Sequence, residues 1–220
     1  MKNRASQTLY SYWNEIRRSR IAPHRFEVQP ARIADILPDT FILEKDEFGT
    51  FRFRLAGTRI CEAFGREFRG QNILKLWAPD DEATVQRVLH NAVYEGAVGV
   101  LTMDAKSKSG RTVPFEILVL PLIHSGNAIS RILGSISIIG PTPGWLGSEP
   151  LVIQTISYVS IIWPDGRPHA ILQKSDRQPP FSPLPEHKRV VSIERRNFRV
   201  FDGGRSESEG SPARPGSPVK

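Results

Sequence analysis

One cysteine, Cys61, occurs among the 220 residues. A disulfide within the chain and any site built on a cysteine pair are therefore excluded. No apolar run approaches the ~20 residues that a membrane-spanning helix needs. The first residues, MKNRASQTLYSYWNEIRR, have no apolar stretch of the kind a secretory signal requires, so a cytoplasmic protein is the expectation. The five histidines, His24, His90, His124, His169 and His187, are scattered and show no metal-ligand spacing. Gly-x-Ser-x-Gly, P-loop and kinase-type patterns are missing. Gly65 and Gly70 have four residues between them as in a phosphate loop, but the Lys-Ser/Thr that would complete one does not follow. No catalytic constellation emerges, and an enzyme is not expected.

What is present is a globular composition, 39% hydrophobic and 24% charged, enough for one domain of ordinary size with extensions. The net charge of +7 is uneven. Residues 1–173 hold 20 Lys/Arg against 17 Asp/Glu, a net +3, and residues 174–220 hold 10 against 6, a net +4. The last stretch also carries seven prolines and four glycines, which argues for a disordered basic tail. Such a tail is either simply solvated or meets nucleic acid or an acidic protein. Within it, Val190–Phe201 (VVSIERRNFRVF) reads as a peptide that docks on a partner or on the chain's own sheet, or as an unstructured sticky segment.

The chain is organised around Phe51–Trp77. Phe51, Phe53 and Leu55 alternate with Arg52 and Arg54, the pattern of a half-buried strand. Gly57 breaks it, and Thr58 is placed to cap a short helix with apolar Ile60, Ala63 and Phe64. Gly65 sits where a positive φ would close that helix. A charged loop, Arg66–Arg69, leads to Gly70, and Ile73, Leu74, Leu76 and Trp77 make a second short apolar turn. Upstream, residues 5–20 are helical by pattern, with Leu9, Trp13 and Ile16 in one stripe and Tyr12 beside it. Pro23 interrupts, a short helix starts at Pro30, and Phe41–Glu44 forms a hairpin with the Phe51 strand. Downstream, Val85, Val88, Leu89, Ala92 and Val93 mark a longer helix opened by Asp80, Asp81 and Glu82 and closed by Gly96. Strands follow at 97–104, 113–122 and 132–139. In the second of these, Phe115, Ile117 and Val119 share one face, and Glu116, Leu118, Leu120 and Leu122 share the other. A strand apolar on both sides needs a cover on each. The N-terminal helix, from this chain or a second copy, is the expected cover. Residues 151–163 read as a strand pair or a loosely packed extension ended by the Pro164-Asp165-Gly166 turn.

This order of elements resembles the PAS domain family, and Phe64, Gly65, Arg66, Gly70 and Asn72 match its strand, small helix, glycine, spacer, glycine pattern. The resemblance covers about residues 30–140. With the N-terminal SYWNEIR segment, the fit is close to stand-alone PAS proteins of alphaproteobacteria. It implies an α+β fold: a five-stranded antiparallel sheet with short helices on one face, an N-terminal amphipathic helix and a disordered C-terminal tail. The divisions expected are 1–29 helix and linker, 30–145 PAS domain, 146–173 β-rich extension and 174–220 tail.

The resemblance also implies a sensory or regulatory protein that works through protein contact, with bacterial signalling proteins such as histidine kinases as partners and the N-terminal helix as a dimer element. Flavin photosensors of the family use a cysteine in the loop after the Gly-Arg pair. Here Phe68 stands near that place, which argues against a photoadduct, and Cys61 on the preceding helix reads as a buried small apolar residue. Haem-binding members use a histidine on the long helix. His90 is on that helix but off its apolar stripe, which argues against haem, and the cofactor stays unassigned. The interior between sheet and helices would be lined by Leu55, Ile60, Phe64, Ile73, Trp77, Val85, Leu89, Val100, Phe115, Ile117 and Ile136, either as a packed core or as a small-ligand cavity. Leu9, Trp13, Ile16, Leu118, Leu120 and Leu122 form the expected interaction surface. Two other classes stay open: a nucleic-acid-binding regulator using the basic tail, which steep salt dependence would reveal, and a small-ligand enzyme on a PAS-like frame, which would need an acid/base pair in a cavity.

Overall fold

The computed structural model describes residues 1–166 and 170–172. The basic tail from residue 174, with its Val190–Phe201 segment and His187, lies outside the described residues, as does His169. The described chain folds around one antiparallel sheet. Helix α1 (Arg4–Arg17) comes first. A 3-10 helix at Pro30–Asp39 leads into the hairpin of β1 (Thr40–Lys45) and β2 (Phe51–Ala56). Then follow helix α2 (Thr58–Phe64), a 3-10 turn at Ile73–Leu76, helix α3 (Pro79–Glu95), and strands β3 (Val98–Ser107), β4 (Thr112–Ser125), β5 (Ala128–Ile138), β6 (Leu151–Ile162) and β7 (Ala170–Leu172). The strand order is β2-β1-β5-β4-β3-β6-β7, so the first hairpin docks beside the last of the central strands. The five expected strands are present. Residues 151–162 add a sixth, paired antiparallel with β3, and β7 pairs with its far end.

Local chemistry accounts for the helix ends. The Asn3 side chain accepts from the Ala5 N–H at 2.7 Å and starts α1. That helix stops three residues short of the expected end, at Arg18, a non-glycine residue with φ of 55°. Gly65 and Gly96 close α2 and α3 in the left-handed conformation expected of them. One capping expectation is corrected. Gly57 is the N-cap of α2 and Thr58 its first helical residue. A Cβ at Gly57 would overlap the Pro38 and Leu37 backbone, so a glycine is required where the chain leaves β2.

The sheet has a core on each side. On one side α2, α3 and the Ile73–Leu76 turn pack over Phe41, Leu43, Phe53, Leu101, Met103, Phe115 and Ile117. On the other, α1 lies across β4 and β5 with Leu9, Tyr12 and Trp13 buried against Leu118, Leu120, Leu122 and Leu133. The cover for the leucine face is thus supplied within the chain. Ile16, at the end of the stripe, is half-buried at its border.

Candidate functional site

The helix-covered interior is built on aromatic contacts. Phe41 meets Phe53 edge-on with centroids 5.7 Å apart, Phe53 meets Phe68 at 5.1 Å, Phe64 meets Phe68 at 5.6 Å, and Phe64 meets Phe115 at 5.9 Å. Offset and edge-on pairs of this kind add about 0.5–1.5 kcal/mol each beyond the area they bury. Phe68, near the place expected for a photoreactive cysteine, is fully buried at the centre of this chain of rings. Of the interior residues expected from sequence, Phe64, Ile73, Trp77, Val85, Leu89 and Ile117 are packed here.

Two of the expected lining residues are elsewhere. Leu55 is 47% exposed. The β1–β2 register slips between Ile42 and Leu43, so Leu43 faces Phe53 while Ile42 faces Leu55, and the extra residue turns Leu55 out of phase with Phe51 and Phe53. Val100 belongs to the opposite core, with Leu118 across the β3–β4 ladder. Strand alternation through β3 settles this, because Leu101 and Met103 take the α3 side. Cys61 is also corrected: it is half-buried, with its Sγ 3.8 Å from Glu67 Oε2. Burial pushes its thiol pKa up and the Glu67 carboxylate adds to the rise, which makes it a poor nucleophile at neutral pH. His90 is exposed and lies against Tyr94, with ring centroids 4.2 Å apart.

The remaining three, Ile60, Phe115 and Ile136, border a cleft of about 450 Å³ at the end of the sheet. That size falls within the roughly 300–1,000 Å³ of small-molecule sites. Ile60 and Ala63 of α2 supply one wall, Phe115 and Ile136 the floor, and Leu146 the far side. Asn3 and Ala5 bring the start of α1 to the rim. Polar side chains complete it, those of Asp39, Arg59, Glu62, Ser137 and Thr142. Asp39 and Arg59 form an ion pair with Arg59 Nη1 2.5 Å from Asp39 Oδ2, and Ser137 lines the cleft with its hydroxyl buried and without a hydrogen-bond partner among the described residues. Burial raises the Asp39 pKa, against the pull of Arg59.

Next to this cleft is a buried carboxylate. Glu116 is 1% exposed and stands across the β4–β5 ladder from Ser137. Its oxygens accept the backbone N–H groups of Lys2 at 2.6 Å and Asn3 at 3.0 Å. Asn3 in turn donates through its side-chain amide to the Ile138 carbonyl at 2.5 Å. A carboxylate holding N–H groups just ahead of a helix satisfies donors that the helix itself leaves open and complements its dipole. Further along the same helix, the Trp13 indole N–H donates to the Pro121 carbonyl at 2.8 Å. The start of α1 is therefore hydrogen-bonded to β4 and β5, and its middle to β4.

A family model described as a PAS domain matches residues 1–137. The chain belongs to the PAS domain family. PAS domains are sensory modules, and this PAS domain has the mixed helix-and-sheet fold expected. Two solved structures resemble it: one titled as the crystal structure of a Rhodobacter sphaeroides LOV protein, at 14% identity and a TM-score of 0.39, and one titled as the RsLOV d2 variant, at 17% identity and a TM-score of 0.38. Each match covers 49% of this chain and 62% of the other. No curated protein matches this PAS domain in sequence. Among the described residues, no helix is long and apolar enough to cross a membrane, and no group of three or more His, Cys, Asp or Glu side chains is arranged to hold a metal ion.

Sequence reasoning passed over Asp39, Arg59, Ser137, Asn3 and the role of Glu116. Only Glu116 left a signal, as the one charged residue on a strand otherwise apolar on both sides.

Proposed function

We propose that this PAS domain is a cytoplasmic, non-enzymatic sensory and regulatory protein whose output is a change in how α1 meets the sheet, read by a partner protein. The observation that carries this is the docking of α1. Its apolar stripe is buried on β4 and β5, and directional hydrogen bonds donated to Glu116 and to the Pro121 carbonyl fix its position. A released state of α1 would be the minor one, and a signal that binds it better than the docked state would raise its population. Release would uncover Leu118, Leu120 and Leu122, a contiguous apolar surface of the kind that marks protein interaction sites.

The same face continues onto β6. Tyr158, Ile153 and Val152 are exposed there. A partner that binds this strip would border the helix and could bias its docking. The family resemblance supports bacterial signalling proteins, histidine kinases among them, as the partner class, and a second copy of the chain is the other occupant this surface suits. A kinase activity assay tests the reading. Purified histidine kinases of the host would be assayed for autophosphorylation with and without the protein. At least one rate should change, and deleting residues 1–20 should alter that change. Rates that ignore both proteins would overturn it.

A further inference from the structure

We propose that the cleft between α2, the end of β5 and the start of α1 is an effector site for a small, largely apolar molecule that carries a hydrogen-bond donor, an amide or an amine. The lining dictates this class. Ile60, Ala63, Phe115, Ile136 and Leu146 offer an apolar bed. Asp39 and Glu62 contribute two carboxylates against the single guanidinium of Arg59, so the cleft is net acidic and disfavours anions. The Ser137 hydroxyl is the second, independent pointer. The residue is 4% exposed, and its Oγ finds no partner among the described residues although it lines the cleft. Buried hydroxyls are nearly always hydrogen-bonded, and leaving one unpaired costs free energy that a ligand group recovers. The half-desolvated Asp39 carboxylate gains in the same way from an added donor.

The site meets the start of α1 at Asn3 and Ala5. Asn3 lines the cleft, caps α1 through Ala5, and is itself held by Glu116. A ligand in contact with Asn3 therefore acts on the first turn of the helix. That consequence rests on the output reading above, whereas the binding itself does not.

Two-dimensional amide NMR on the full chain tests both, with benzamide and benzylamine as probes and benzoate as the anionic control. Benzamide and benzylamine should shift the Asn3, Arg59 and Ser137 amides saturably, and benzoate should bind at least about ten-fold more weakly. Ser137→Ala should weaken benzamide about three- to ten-fold, the worth of one hydrogen bond. Thr142→Trp, at an exposed rim position, should block binding without touching the core. No saturable shift with either donor probe, benzoate binding as tightly as benzamide, or unchanged binding in Thr142→Trp would each overturn the site. The Trp13 indole N–H resonance separates the two claims. If it moves with saturation, the cleft and α1 are coupled. If it stays still while the three amides saturate, the site stands and the output reading falls.

Discussion

The sheet face under α2 and α3 is filled by side chains from one continuous stretch, Phe41 to Val93, meeting strands that follow directly. The face under α1 is filled by strands β1, β3, β4 and β5 and by a helix that precedes them all. The first core is rich in interlocked rings. The second is aliphatic apart from Tyr12 and Trp13, and includes polar contacts: Glu116 on the Lys2 and Asn3 amides, Trp13 on Pro121, and the hydroxyls of Ser6 and Ser135 3.5 Å apart. Non-directional packing holds a core together but tolerates sliding, whereas buried hydrogen bonds fix one position and penalise every other. The ring-filled face carries a buried bond too, the Ile156 N–H donating to Asp81 Oδ2 at 2.9 Å; on the reading proposed above, that face is the scaffold and the face under α1 the joint.

The largest effects should separate the two faces. Trp13→Ala and Phe68→Ala each remove a fully buried aromatic side chain and should each cost about 3–5 kcal/mol in denaturant melts. They should differ in dye binding under native conditions. The Trp13 variant uncovers leucines and should bind more of an apolar dye, while the Phe68 variant should not. Equal dye binding would remove the distinction between scaffold and joint.

Gly134→Ala should come next. A Cβ there would overlap the Phe41 ring and the Leu118 carbonyl, between β1 and β4, and overpacking of this kind costs about 1–3 kcal/mol. Glu116→Ala should cost about 1–3 kcal/mol by stranding two N–H groups. Its signature is local: hydrogen-exchange protection at Ala5–Leu9 should fall while that of Val88–Val93 in α3 is kept. Uniform loss across both helices would show that Glu116 supports the whole fold and not the joint. Gly65→Val should cost about 1 kcal/mol or more, because its φ is 61° and an added Cβ would sit 2.7 Å from Pro150 Cγ.

The smallest effect is electrostatic. Burial raises the Asp39 pKa in the folded protein, so the native state binds the proton more tightly than the unfolded one. Its contribution is then fully present below the unfolded value and is lost as pH rises through the raised folded value. Asp39→Asn removes this dependence. The melting temperature of the variant should gain on the native protein as pH climbs from about 3.5 to 6, and parallel profiles would sink the assignment.

Much of this was legible before any coordinates. Gly65 and Gly96 announced helix ends, and the two-sided apolar pattern of β4 required a cover that the Leu9–Trp13 stripe supplies. What was hidden depends on register and on pairs distant in sequence. Leu55 alternates perfectly with Phe51 and Phe53, and only the slip opposite Ile42 turns it outward. Val100 could be assigned to either face until the phase of β3 was fixed by its neighbours. The cleft combines Asn3, Asp39, Arg59 and Ser137 from four separate segments, and no local pattern brings such residues together.

The strand order also sets a timetable for synthesis. Trp13 and Pro121 are 108 residues apart, and β1 must wait for β5, whose Gly134 lies opposite Phe41. At translation rates of 5–20 residues per second, α1 leaves the ribosome roughly 5–20 s before its docking strand exists. For that interval the Leu9–Trp13 stripe is an orphan apolar surface on a nascent chain. The residues that later bury on β4 are thus offered to chaperones before β4 is made, and a slower ribosome would prolong their exposure.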